Sequence, residues 1–132
     1  MNASQKGKLE KLLHEACILR DGEKCLRCGR RTNLQASHIY PKGTHQRMRY
    51  LLINVKTLCY GCHFHFWHKH PIAAAAWLKT VLPASRLRKL KEMANTVLPP
   101  HDYEKIKKNL EREIAKYRKP GFWRIILRPF IH

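Results

Sequence analysis

Acidic side chains are scarce in this chain: nine Asp and Glu residues face 27 Lys and Arg residues over a length of 132. The formal net charge of +18 opposes compaction by self-repulsion and favours a polyanionic partner. Nucleic acid is the first candidate partner, because cationic side chains displace condensed counterions when they contact phosphates. An anionic membrane surface is the second candidate.

Long apolar runs are also missing. The segment IAAAAWL at 72–78 is far shorter than the roughly 18 apolar residues of a membrane span. The N-terminal stretch MNASQKGKLEKLL carries no apolar run of the signal-peptide kind. We therefore expect no membrane span, no secretory leader and a soluble, cytoplasmic protein. In such a reducing compartment, closely paired cysteines bind metal more often than they form disulfides.

The hydrophobic pattern predicts helices on both sides of a central region of short strands. Apolar residues at helical spacing predict helices at 3–19, 71–82, 84–98 and 101–119. Short strands are expected at 34–40 and 50–58, followed by a helical segment from Cys62. The fold class that we predict is therefore α+β.

The chain is long enough for one domain with a modest core, and it has no internal repeats. We expect three parts within one compact unit: an N-terminal helix at 1–21, a central core at 22–70 and a basic helical extension at 71–132. The apolar tail PGFWRIILRPFIH packs either on the core or on a second copy of the chain, so a homodimer is an open alternative.

Two cysteine pairs, Cys25-x-x-Cys28 and Cys59-x-x-Cys62, have the spacing of zinc knuckles. Two intervening residues let a tight turn aim both sulfur atoms at one ion, and a glycine in each turn supplies backbone freedom. Four thiolates make a closed tetrahedral site, which is structural rather than catalytic. We predict one structural Zn²⁺; two reduced buried pairs or a disulfide are the alternatives. Cys17 stands alone and is more typical of a core residue than of a ligand.

A zinc site leaves His38, Asn54 and His63 unexplained. Along the chain, the CLRC pair is followed by SH, then by Asn54, and then by LCYGCH. This order resembles the motif of the HNH endonuclease family, in its version with a four-cysteine zinc site. The resemblance covers residues 22–70 and extends, less specifically, to phage recombination nucleases of the NinG or Rap type. It implies a small ββα-metal core around one catalytic metal, held by the zinc site and flanked by α-helices.

The resemblance also implies roles for these residues. His38 would be the general base, since histidine suits proton abstraction from water near neutral pH. Asn54 would hold the two strands together so that the His38 ring points at the phosphate. His63 would bind the catalytic metal at the start of the following helix.

A second metal ligand is expected about one turn after His63. Four residues on is Trp67, which cannot serve, so we choose His68, with His65 as the alternative. Five residues of α-helix rotate by about 140°, so this helix must begin late or bend for His68 to reach the ion. Ser37, where family members often carry Asp or His, is a poor ligand. The metal is therefore left open among Mg, Mn, Ni and Zn.

Basic residues close to His38 are candidates for binding DNA. Lys42, Arg47 and Arg49 lie in the loop between the two strands, and Arg suits phosphate geometry. No segment reads as base-specific, so we expect weak sequence preference on double-stranded, nicked or branched DNA. The resemblance suggests phage recombination or genome processing, which would place the protein in the host cytoplasm.

The leading hypothesis is thus a metal-dependent DNA endonuclease. The alternative is a non-catalytic, zinc-stabilised DNA-binding module in which Ser37 marks a lost metal site. A basic RNA- or ribosome-associated zinc protein would also account for the net charge and the cysteine pairs.

Overall fold

Residues 1–119 are described by the computed structural model, and they form an α+β fold around one two-stranded antiparallel sheet. The predicted α+β class is thereby confirmed. In chain order the elements are α1 (Ala3–Arg20), β1 (Leu34–His38), β2 (Val55–Cys59), a π-helical turn (Cys62–Trp67), α2 (Pro71–Val81), α3 (Ala84–Ala94) and α4 (Tyr103–Arg118). The tail PGFWRIILRPFIH, predicted to pack on the core or on a second copy, lies outside the described residues.

The main core lies between α1, α4 and one face of the sheet. The Asn2 side chain accepts a hydrogen bond from the backbone N–H of Gln5 (2.8 Å), and the Gln5 side chain accepts one from the N–H of Asn2 (3.1 Å). This capping box starts α1. The apolar face of α1 is buried against Leu110 of α4 and Val55 of β2. Its buried residues are Leu9, Leu12, Leu13, Ala16 and Cys17.

The register of the two strands decides which side chains share a face of the sheet. The pairs are His38 with Val55, Ser37 with Lys56, Ala36 with Thr57, Gln35 with Leu58 and Leu34 with Cys59. Successive residues of a strand point to opposite faces of the sheet. Val55 therefore packs into the α1 core, whereas Lys56 reaches Trp67 of the π-helical turn on the opposite face.

β2 begins later than the sequence pattern predicts. A strand was expected at 50–58, but the residues before β2 form two 3₁₀ turns, Gln46–Met48 and Leu52–Asn54. The side chain of Asn54 bonds to backbone groups of the loop that follows β1. These bonds satisfy backbone groups that strand pairing would otherwise need, so the ladder starts only after Asn54.

α3 ends four residues before its predicted end at 98. The Asn95 side chain donates to the carbonyl oxygen of Lys91 (2.9 Å), and the Thr96 hydroxyl donates to that of Glu92 (2.6 Å). The Thr96 hydroxyl thereby takes the place of the Thr96 N–H, which bonds to the carbonyl oxygen of Met93 instead, and the helix stops. None of the helices within residues 1–119 is both long and apolar enough to cross a membrane.

Candidate metal centre and histidine site

Four cysteine sulfur atoms meet beside the sheet. The Sγ atoms of Cys25, Cys28, Cys59 and Cys62 all lie within 4.8 Å of one another, and residues 1–119 hold no other such group of three or more His, Cys, Asp or Glu. Cys28 Sγ is 3.6 Å from Cys59 Sγ. Sulfur atoms at the corners of a tetrahedron with Zn–S bonds of about 2.3 Å lie about 3.8 Å apart. The donors therefore fit a structural metal ion such as zinc, as predicted.

Backbone hydrogen bonds shape the first cysteine turn. The N–H of Leu26 donates to the carbonyl oxygen of Thr57 (3.0 Å), which ties the turn to β2. Gly29 has a φ of 79° and donates its N–H to the carbonyl oxygen of Cys25 (2.9 Å). This left-handed conformation is strained for residues with a β-carbon, which explains the glycine.

Hydrogen-bond donors surround the sulfur atoms. Nη1 of Arg27 donates to Cys62 Sγ (3.6 Å), while its guanidinium carbon lies 3.7 Å from the centroid of the Phe66 ring. The N–H of Cys62 donates to Cys59 Sγ (3.5 Å). Burial opposes the ionisation of Cys25, but neighbouring backbone N–H groups outweigh it and lower the pKa of Cys25 to about 7. These donors favour the thiolate form at Cys25, whereas burial and the neighbouring Cys59 and Cys25 raise the pKa of Cys62 in spite of its bond from Arg27.

Cys17 is separate from this cluster. It is fully buried in the α1 core, with Sγ 3.4 Å from the hydroxyl of Thr57. Burial raises the pKa of Cys17 to about 11, so the thiol stays protonated and inert.

His38 ends β1 and is held by a carbonyl oxygen. Its Nε2 lies 2.9 Å from the carbonyl oxygen of Arg49. A carbonyl can only accept, so Nε2 carries the proton and Nδ1 keeps its lone pair. Burial lowers the pKa of His38, and the charges of Lys42 and Arg49 add to that effect against the carbonyl bond. His38 is therefore neutral at pH 7 with one free acceptor, the form that a general base requires.

Asn54 closes the loop that carries the carbonyl group of Arg49. Its side chain is fully buried. Oδ1 accepts from the N–H of Tyr40 (2.9 Å), and Nδ2 donates to the carbonyl oxygens of Tyr40 and Met48, both at 3.1 Å. Its own carbonyl oxygen accepts from the N–H of Ile39 (2.8 Å). Asn54 thus holds the residues directly after His38 and the residue directly before Arg49.

His63 and His68 lie on one side of the π-helical turn. The N–H of His68 donates to the carbonyl oxygen of His63 (3.1 Å), an i→i+5 bond. An α-helix would separate these side chains by about 140°, but the wider turn aligns them, and their Nε2 atoms are 3.0 Å apart. Two nitrogen ligands at about 2.1 Å and at right angles about an ion lie about 3.0 Å apart. The two Nε2 atoms share a hydrogen bond, and their spacing is also that of two ligands of one ion. His65 and His68 are both exposed, but the ring of His65 packs beside Tyr60.

Gln35 determines the tautomer of His63. Its Oε1, which can only accept, lies 2.6 Å from His63 Nδ1, so Nδ1 carries the proton. The lone pair of Nε2 then points towards His68. Burial and the neighbouring His68 lower the pKa of His63 to about 4. In this tautomer Nε2 of His63 accepts a hydrogen bond from Nε2 of His68. The neutral imidazole with a lone pair on Nε2 is also the form that binds metal.

A buried lysine lies between the sheet and the π-helical turn. Lys56 is 0% exposed, and its Nζ donates to the Ser37 hydroxyl (3.0 Å) and lies 3.2 Å from the centroid of the Trp67 ring. Burial lowers the pKa of Lys56 to about 6. Among residues 1–119, no carboxylate forms an ion pair with this amine. The Ser37 hydroxyl is therefore engaged by an amine at the position where the resemblance places a metal ligand.

A groove of about 920 Å³ brings part of the predicted set together. It is lined by His38, His63, His68 and Lys42. The other two predicted DNA contacts have partners elsewhere. Arg47 donates to the carbonyl oxygen of Leu98 (2.7 Å), and the guanidinium of Arg49 pairs with the Glu10 carboxylate.

Several residues of the histidine site and of the groove were not predicted from the sequence. Gln35 carried a usable signal, because it alternates with Ser37 and so shares its face of β1. Lys56 carried none, since lysine is almost never fully buried. Lys79 lines the groove from α2, and only the packing of that helix brings it there.

No family model, no curated protein and no solved structure matches this chain. A function has therefore to be inferred from the residues and from their geometry.

Proposed function

We propose that this protein is a metal-dependent endonuclease of the HNH type, which hydrolyses phosphodiester bonds of DNA with His38 as the general base. The observation that carries the proposal is that His38, with a free Nδ1, lines the same groove as the paired His63 and His68. The net charge of +18 supports a polyanionic substrate. β1, β2 and the π-helical turn would together be the ββα-metal core of the family.

In this proposal, Nδ1 of His38 accepts the proton of the attacking water. The bond from Nε2 to the carbonyl oxygen of Arg49 keeps the ring oriented and stabilises the positive charge that the ring then acquires. Asn54 keeps the loop against β2, so the carbonyl stays within reach of the ring. Asn54 is thus a positioning residue.

His63 and His68 would hold the catalytic divalent ion, with Gln35 keeping Nε2 of His63 available. When bound, such an ion stabilises negative charge on the phosphate and the leaving oxygen. Two imidazole ligands favour Mn²⁺, Ni²⁺ or Zn²⁺ over Mg²⁺, which prefers oxygen. Ser37 adds no free ligand, because its hydroxyl is bonded to Lys56.

The test is nicking of supercoiled plasmid by the zinc-loaded protein and by His38→Ala, with Mg²⁺, Mn²⁺, Ni²⁺ or no added metal. We expect metal-dependent nicking by the natural protein and its loss in the variant. Circular dichroism and zinc content should be equal for both proteins. Equal nicking by the two proteins would contradict the role of His38.

A second candidate function is a zinc-stabilised nucleic-acid-binding module without catalysis. The bond between Lys56 and the Ser37 hydroxyl favours it, because an amine then occupies the place of a metal ligand. A folded, zinc-loaded protein that binds DNA but cuts neither plasmid nor nicked and branched oligonucleotides with any of these metals would support this candidate. Preferential binding of RNA at matched salt would favour an RNA partner instead.

A further inference from the structure

The groove beside the histidines has a wall that a nuclease for intact duplex does not need. It runs from the loop after β1, across the π-helical turn, to α2 and α3. Much of its lining is apolar or aromatic: Tyr40, Phe64, Trp67, Ala74, Leu78 and Leu87. Phe64 is 39% exposed, and its ring packs beside the rings of Tyr60, His63 and His68, so part of the ring faces solvent next to the histidines.

Three lysines line the same groove. Lys42 comes from the loop after β1, Lys79 from α2 and Lys91 from α3, and all three are exposed. Within residues 1–119 none of these ammonium groups has an ion-pair partner. No Asp or Glu lines the groove. The cations are therefore available to an anionic ligand that also has an apolar part.

An apolar wall combined with lysines distinguishes single-stranded DNA from duplex DNA. An intact duplex presents phosphates outward and keeps its bases stacked inside, so an apolar wall gains nothing from it. An unpaired strand exposes base faces that stack on aromatic side chains, while its phosphates follow a positively charged groove. The groove offers both features.

We propose that the groove binds an unpaired stretch of DNA beside the histidine site, with bases against the apolar wall and phosphates at Lys42, Lys79 and Lys91. The substrate class is then DNA with a single-stranded segment. This inference rests on the proposed endonuclease function for its choice of ligand. It adds α2 and α3 to the substrate-binding surface, outside the segment that carries the family resemblance.

The test is binding of fluorescent oligonucleotides of about 16 nucleotides, followed by anisotropy, without added divalent metal. The full-length zinc-loaded His38→Ala protein is used, so binding is read separately from cleavage. We expect single-stranded DNA to bind about tenfold more tightly than duplex DNA of the same length and salt. Equal or tighter binding of the duplex overturns the proposal.

Lysine variants test whether the single strand lies in the groove. Lys79→Ala combined with Lys91→Ala should reduce the slope of log K against log salt on single-stranded DNA by about 1.4, since each lysine contributes about 0.7. The matched control is Lys105→Ala combined with Lys108→Ala, two exposed lysines of α4 that do not line the groove. Equal effects of the two double variants overturn the assignment, because general charge would then explain both.

Phe64→Ala tests the apolar wall. It should weaken single-stranded binding by about tenfold and leave duplex binding unchanged. Equal losses on both ligands would overturn the stacking role. Tighter binding of single-stranded RNA than of DNA would overturn the choice of DNA. If single-stranded DNA is preferred but no substrate is cut, the binding proposal stands and the endonuclease proposal fails.

Discussion

Nε2 of His68 lies 3.0 Å from Nε2 of His63 because the turn that carries both residues is π-helical. In an α-helix the two rings would diverge, since five residues rotate by about 140°. π-helical segments are rare and often occur at functional sites. The extra residue in this turn therefore has a specific consequence: it aligns two imidazoles.

The histidine pair gives the first prediction. His68→Ala should weaken binding of the catalytic metal by at least about 100-fold, because one of two ligand nitrogens is lost. Titration of Mn²⁺ against nicking rate, or calorimetry on the zinc-loaded protein, measures this. His65→Ala is the matched control on the same turn and should leave metal binding unchanged. Equal metal affinities of His68→Ala and His65→Ala would show that the His63–His68 pair does not bind the metal.

Removal of zinc should unfold the region around the sheet. Cys59→Ser removes a ligand on β2, and a structural zinc site contributes on the order of 10 kcal/mol to folding. We expect this variant to bind no zinc and to show no cooperative thermal transition. Cys17→Ala should keep one zinc per chain, since Cys17 lies in the α1 core. A stable, zinc-free Cys59→Ser protein would count against the site.

Asn54 can be tested with two substitutions. Asn54→Ala leaves the backbone groups of Tyr40 and Met48 without their partner in a buried place and should cost about 3 kcal/mol. Asn54→Asp keeps one acceptor but places a carboxylate against two carbonyl oxygens, so it should cost more. Urea unfolding measures both. In the folded variants kcat should fall with little change in KM, whereas a purely structural role would leave kcat unchanged.

The pH dependence of nicking should report His38. Burial lowers its pKa from 6.5, so the neutral base persists below that pH. The value of kcat/KM should therefore rise with pH through a midpoint below 6.5 and then level off. Zinc content and circular dichroism should be followed over the same range, because acid also protonates thiolates. An acid limb centred above pH 7 would exclude His38 in this environment as the base.

Lys56 should make stability depend on pH. In the folded protein the pKa of Lys56 is about 6, and in the unfolded chain it is near 10.5. Between these values the unfolded state binds one more proton, so the free energy of unfolding rises with pH by about 1.4 kcal/mol per unit. Below about pH 6 this contribution is constant. Lys56→Met should remove the slope, as urea unfolding at about pH 7 and about pH 9 would show. Equal slopes for the two proteins would mean that Lys56 is charged when folded.

Local pattern was enough to predict the helices and the cysteine cluster. A capping box, a helical stripe or a knuckle turn depends on residues a few positions apart, so the chain encodes it locally. The four sulfur atoms meet because each pair is preformed by its own turn and β2 brings the second pair to the first.

Tertiary packing decided the surroundings of the histidines. The pattern at 50–58 predicted one strand, but the buried amide of Asn54 bonds to distant backbone and shortens it. Lys42, Arg47 and Arg49 were the expected phosphate contacts. Lys42 lines the groove, whereas Arg47 and Arg49 bond within the protein, to Leu98 and Glu10.

The sequence by itself determined the α+β class, the four-cysteine metal site and the excess of positive charge. These follow from composition and from short-range spacing. Only the tertiary structure decided that Lys56 is buried against Ser37 and that Lys79 and Lys91 line the same groove as the histidines. The physical reason is that burial and juxtaposition depend on how α2 and α3 pack beside the sheet, and no local rule of sequence specifies that packing.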